Sequence, residues 1–153
     1  MDKNMDKKRF TKILAKADKK IIAELSAEIQ KICSPVIIKE PGKTLAMIKM
    51  REPVKESLFY LGEVIVCEAI VEIEGVKGAA VLMGDDAKKT LDMAIIDAAA
   101  NKGVFTGMDR LAELEKGQND FAMRENAMHL KTMVNFQSMD TEAPDDLNAF
   151  KKA

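Results

Sequence analysis

The chain has no Trp and one Tyr, and aromatic residues make up only 5% of its 153 positions. Stacking platforms for nucleic-acid bases are therefore in short supply. It has one His, His129, so no nucleophile–base pairing, triad or dyad can be read from the sequence. Its two cysteines, Cys33 and Cys67, lie far apart and form no CxxC, which argues against structural zinc and for two reduced, packed thiols. Neither sign of charge dominates: 24 basic and 25 acidic residues leave a net charge of −1, and no global field favours nucleic acid or an anionic membrane. No apolar run approaches bilayer-spanning length, and the charged start lacks the apolar core of a secretory signal. These features place the chain in the cytoplasm. What it does have is 11 methionines, flexible apolar side chains suited to packing and association.

The organising stretch is Leu58–Asn101. Leu58–Ile73 is rich in Val, Ile, Phe and Tyr and close to period-2 alternation at its end, which predicts a long strand. Glu74-Gly75-Val76-Lys77-Gly78 supplies two glycines for a chain reversal, and Ala79–Met83 reads as the return strand. Gly84-Asp85-Asp86 breaks it and offers a cap for a helix over Ala87–Ala100 that is apolar over most of its circumference. Asn101-Lys102-Gly103 ends that helix.

Before this stretch, Phe10, Leu14, Ala17, Ile21, Leu25, Ile29 and Ile32 form an amphipathic helical stripe, with Asp18 able to restart the helix and Pro35 to stop it. Val36–Lys43 reads as a short extended piece followed by a turn, and Thr44–Arg51 as a strand. After it, Asp109 can cap a short helix that Gly117 would end, and Asn119 or Asp120 can cap a last helix carrying Met123, Ala127, Leu130 and Val134 on one face. The expected architecture is a single α+β domain over residues 1–140: an antiparallel sheet with helices packed on one face, an N-terminal helical segment and a C-terminal helix. Residues 141–153 read as a mobile acidic tail.

Candidate chemistry is sparse. Gly42-Lys43-Thr44 lacks the earlier glycine and the following helix of a phosphate-binding loop, and reads as an ordinary turn. Counting by two through Phe59, Leu61, Ile65 and Cys67 places the Glu63 carboxylate on an apolar face, where an unpaired charge is costly. Alternatively, Gly62 marks a β-bulge that turns Glu63 outward. Asp97, inside an apolar helix, fits either a structural hydrogen bond to a loop or partner, or catalysis. His129 fits a boundary or solvent position.

Three blocks resemble the PhnG family, the G subunit of the phosphonate carbon–phosphorus lyase core complex. They are Phe59–Val66 against F-x-L-G-E-V-x-V; Gly78, Gly84-Asp85-Asp86 and Ala94–Ala98 against a turn glycine and a helix ending A-L-x-D-A; and Thr132–Met139 against T-x-V-[DEN]-F-F-T-M. The chain departs from the family at Cys67-Glu68, where Thr-Arg is usual, at Ala79-Ala80, at Asp85, where a basic residue is common, and after Met139. Three positive charges suited to phosphate or phosphonate oxygens are thereby lost or reversed.

The resemblance implies a non-catalytic or accessory subunit, inactive alone, of a complex with H, I and J type subunits. Together with the I and H subunits and the L protein it would support transfer of an alkylphosphonate onto C1′ of ATP ribose with displacement of adenine. ATP is then a co-substrate of the complex, and this chain holds no cofactor or metal. Gly62, Glu63, Gly84, Asp85, Asp86, Asp97, Phe136, Ser138 and Met139 are the candidates for partner or site-edge contacts. Self-association is a further expectation, with no nucleic acid and no membrane among the partners. The alternative is a free-standing homo-oligomeric ligand-binding or assembly module that kept only the fold.

Overall fold

The computed structural model describes residues 5–134. In chain order it contains α1 (Lys7–Lys16), α2 (Lys19–Ile32), β1 (Val36–Arg51), β2 (Leu58–Ile73), β3 (Val76–Met83), α3 (Ala87–Lys102) and α4 (Met108–Lys131). The strands form one antiparallel sheet in the order β1-β2-β3, so the domain is α+β.

The amphipathic stripe is split where the sequence placed the restart. Asp18 adopts an extended conformation, and its carboxylate accepts the Lys20 N–H at 2.8 Å to cap α2. Lys89 of α3 closes the end of α1 by donating to the Ala15 and Ala17 carbonyls, each at 2.7 Å.

β1 runs unbroken through the predicted turn. Pro41 and Gly42 lie in a stretch of register shifts between Ile37 and Gly42, not in a chain reversal. β1 is an edge strand, so the N–H that Pro41 lacks need not serve a neighbour, and bulges absorb the irregularity.

The reversal between β2 and β3 needs only Glu74 and Gly75, with φ of 47° and 84°. Two left-handed residues between paired Ile73 and Val76 make a type I′ hairpin, whose twist matches that of its strands. Gly78 is not part of this turn. It sits inside β3, where a Cβ would stand 2.6 Å from the Ala98 Cα and overlap the Ala94 carbonyl oxygen. The missing side chain lets α3 lie directly on the sheet.

α3 starts with the Asp86 carboxylate accepting the Lys89 N–H at 3.0 Å, and ends at Gly103 with φ 83°. Its residues from Asp92 to Ala100 are all buried, because the helix is packed between β2–β3 on one side and α2 on the other. Val71, Ile73, Met93, Ile96, Leu14, Ile22 and Leu25 meet in the resulting core. Cys33 and Cys67 are free thiols, both buried.

α4 is one helix through Gly117, not two. A glycine inside a helix costs about 1 kcal/mol relative to Ala, too little to stop a helix by itself. The chain divides into two compact units between Asn119 and Asp120, inside α4. In the first, Leu111 is buried, Arg110 bridges Glu24 and Glu28 of α2, and Arg9 of α1 makes a bidentate pair with Glu115. In the second, Met123, Ala127, Leu130 and Val134, the expected apolar stripe, are all exposed.

Candidate functional site

Met83, at the end of β3, pairs with Val66, so among the described residues the outer half of β2 has only β1 beside it. From Leu45↔Ile65 to Arg51↔Leu58 these two strands form a ribbon. Directly paired residues share a face. One face therefore carries Leu45, Met47, Lys49 and Arg51 with Ile65, Glu63, Tyr60 and Leu58. The opposite face carries Ala46, Ile48 and Met50 with Val64, Gly62 and Phe59.

The ribbon carries large apolar side chains on both faces, with Lys49, Arg51 and Glu63 on the first, and the large apolar side chains are open. Leu45, Met47, Met50, Leu58, Phe59, Tyr60, Leu61 and Ile65 are 43% to 60% exposed, and Val54 at the tip is 84% exposed. An isolated two-stranded ribbon is marginally stable in water, and contiguous apolar exposure on this scale marks a binding surface. The tip is locally satisfied: the Glu52 carboxylate accepts the N–H groups of Val54 and Lys55, and the Glu52 N–H donates to the Ser57 carbonyl at 2.9 Å. Lys49 lies 5.6 Å from the Tyr60 ring centroid, a cation–π contact between directly paired residues.

Gly62 and Glu63 both sit on this arm. The bulge falls at Leu61, between the pairs Ile48↔Gly62 and Lys49↔Tyr60. It lies beyond Glu63, so Glu63 keeps the face that counting assigns, alongside Ile65 and Cys67. It is nonetheless exposed, because among the described residues no third strand extends alongside it. The two sequence readings are thus each met in part: Glu63 keeps the counted face, and it is exposed as the bulge reading expects.

Gly84, Asp85 and Asp86 lie at the base of the arm. The Gly84 N–H donates to the Ile65 carbonyl at 2.9 Å, and Asp85 pairs with Lys43 of β1 at 3.0 Å, which holds its carboxyl below the ordinary range. Asp86 is occupied as the α3 cap. Asp97 is elsewhere: it is buried against β3, accepts from the Ala79 N–H at 3.0 Å and Asn101 Nδ2 at 3.2 Å, and has Lys7 at 3.3 Å. It is a structural acceptor. Phe136, Ser138 and Met139 lie outside the described residues. The acids Glu68 and Asp85, which stand where the family resemblance leads one to expect bases, are both paired with β1 lysines, Lys39 and Lys43.

A second feature escaped the sequence reading. A cleft of about 310 Å³ is lined by Lys19, Lys20, Ala23, Asp86, Lys88, Lys89 and Asp92. Burial lowers the Lys89 pKa, opposed by Asp86 and Asp18, and raises that of Asp92, opposed chiefly by a hydrogen bond from Ser26. The available signal was a repeated pattern, a capping Asp followed by paired lysines: Asp18-Lys19-Lys20 and Asp86-Ala87-Lys88-Lys89. His129 is exposed, and among the described residues no three His, Cys, Asp or Glu side chains are grouped to hold a metal.

The chain matches the family described as "Phosphonate metabolism protein PhnG" over residues 5–140. It belongs to the PhnG family. Membership covers the arm, the β3–α3 turn and the Thr132–Met139 block alike, and ties the chain to phosphonate metabolism. Comparison with curated proteins gives no match. Among the described residues of this PhnG-family chain, no helix is long and apolar enough to cross a membrane.

Proposed function

We propose that this chain is an accessory subunit of a cytoplasmic carbon–phosphorus lyase type complex. With I, H and L type partners it supports transfer of an alkylphosphonate onto C1′ of ATP ribose, adenine being displaced. It adds no bond-making group of its own, and ATP is handled by the assembly. The observation that carries this reading is the β1–β2 arm, whose apolar side chains on both faces are open to solvent. A ribbon of that composition gains its stability by being covered, as in obligate interfaces that resemble a domain core cut in half.

The test is co-expression with the I-type subunit, affinity purification and light scattering. A stoichiometric complex is expected. Met50→Glu or Phe59→Lys, each placing a charge on one face of the arm, abolishes co-purification while circular dichroism stays unchanged. A soluble homo-oligomer that ignores the I-type subunit would instead make this a free-standing module that shares only descent with the complex.

A further inference from the structure

The cleft of about 310 Å³ between α2 and α3 has charges of two kinds, committed and free. Lys89 is committed, because its ammonium group donates to the Ala15 and Ala17 carbonyls and only its stem is left for the cleft. Asp18 and Asp86 are committed as caps, accepting the Lys20 and Lys89 N–H groups, so the helix ends do not themselves make a site. Lys19, Lys20 and Lys88 are free. All three are exposed, and none of them is in an ion pair among the described residues.

Asp92 is the odd member. It lines the same cleft but is only 8% exposed. Ser26 of α2 accepts from Gln30 Nε2 at 2.9 Å and turns its own hydroxyl hydrogen to Asp92. That hydrogen fills one of about four acceptor positions on a carboxylate. Among the described residues no fully buried side-chain oxygen lacks a partner, so the rest of the Asp92 carboxylate is open to the cleft, not sealed in the core. A carboxylate held where burial opposes its charge, with its open side on a cleft, is placed to receive a cation.

We propose that the cleft binds a small zwitterion, its ammonium group on Asp92 and a phosphate-like dianion on Lys19, Lys20 and Lys88. Neither half of such a ligand matches the cleft alone. An anion brings nothing to Asp92, and a simple cation meets three ammonium groups. Lys is a compact point charge, suited to a tetrahedral dianion. Lys88 and Asp92 stand one helical turn apart, so their side chains leave α3 about 5–6 Å from one another, a gap that a short alkyl chain between the ligand's two charges spans. The cleft volume suits a ligand of that size.

Isothermal titration of the full-length chain tests this with 2-aminoethylphosphonate and O-phosphoethanolamine, which carry the same two charges on a carbon–phosphorus and an ester link. Saturable binding of either at millimolar concentration is expected; binding of both shows that the charge pattern is read, and binding of one assigns the link. Ethylphosphonate lacks the ammonium group and ethylamine the dianion, and each is expected to bind about tenfold more weakly, the effect of one lost charge-assisted contact. Asp92→Asn keeps the shape of the side chain and removes the zwitterion's advantage over ethylphosphonate. Lys88→Gln, at an exposed position that the fold does not depend on, weakens both. Failure of both zwitterions to saturate, ethylphosphonate matching them on the parent chain, or unchanged affinity in Lys88→Gln would each overturn the inference. The cleft belongs to α2 and α3 and not to the β1–β2 arm, so these outcomes leave the proposed function as it stands.

Discussion

Asp97 of α3 accepts the Ala79 N–H of β3 at 3.0 Å, and Asn101, one helical turn on, donates to Asp97 and to the Lys77 carbonyl. A carboxylate buried in an apolar helix is thereby used to finish the edge of a sheet. Removing it takes the acceptor from the Ala79 N–H, while the exposed Asn101 amide keeps the Lys77 carbonyl.

Asp97→Ala is accordingly expected to cost about 1.5–3 kcal/mol, the range for losing hydrogen bonds to a charged acceptor. Asp97→Asn, which keeps one acceptor oxygen, loses less. Denaturant unfolding of the two variants checks this, and an unchanged midpoint for the alanine variant would show that the acceptor is dispensable.

The two glycines Gly78 and Gly117 predict opposite outcomes for the same substitution. Gly78→Ala drives a methyl into the Ala94–Ala98 backbone of α3, which cannot yield as a side-chain tip can, so a loss of about 3 kcal/mol or more is expected. Gly117→Ala meets open space within a continuous helix and is expected to stabilise by about 0.5–1 kcal/mol. Thermal unfolding distinguishes them: the melting temperature falls steeply in the first and rises in the second.

Asp92 has its pKa raised by burial, with Ser26 and Lys88 opposing. Between the ordinary carboxylate value and the raised one, the folded state keeps a proton that the unfolded state has released. Stability contributed by this group therefore falls as pH rises through that window, then levels once both states are ionised. Asp92→Asn is expected to be more stable than the parent at pH 7, the advantage fading as the pH drops below the ordinary carboxylate range. Unfolding midpoints of both chains across that range check the sign.

Lys89 donates to the last carbonyls of α1 from α3, across two elements. Lys89→Met keeps the stem and removes the donors, so the end of α1 should fray. Faster amide exchange confined to residues 13–17 is the expected readout, and uniform protection would count against it.

Much of the fold was readable because local signals agreed. Asp18 and Asp86 cap where expected, β2 and α3 lie close to their predicted bounds, and β3 begins at Val76, three residues before the expected start, because the reversal needs only Glu74 and Gly75. The failures share a cause. Pro41-Gly42 and Gly117 are strong local breakers, yet strand pairing with β2 and the helical turns on either side of Gly117 carried the chain through them. The sequence leaves Glu63 between an apolar face and an outward turn at a bulge, and it does not say how far a neighbouring strand extends, which is what exposes Glu63 on the counted face. Val54, Leu45 and Met47 were missed as surface features for the same reason: the pattern of a covered strand and that of a strand awaiting cover are alike.

The placement of the type I′ turn between β2 and β3 also sets an order in time. β2, β3 and α3 follow one another directly, so their contacts are local and can form early. β1 and the outer half of β2 leave the ribosome before β3 and α3 exist, and their apolar side chains stay open to solvent among the described residues even in the finished fold. For a protein built this way, when the chain meets its partners matters as much as which partners it meets.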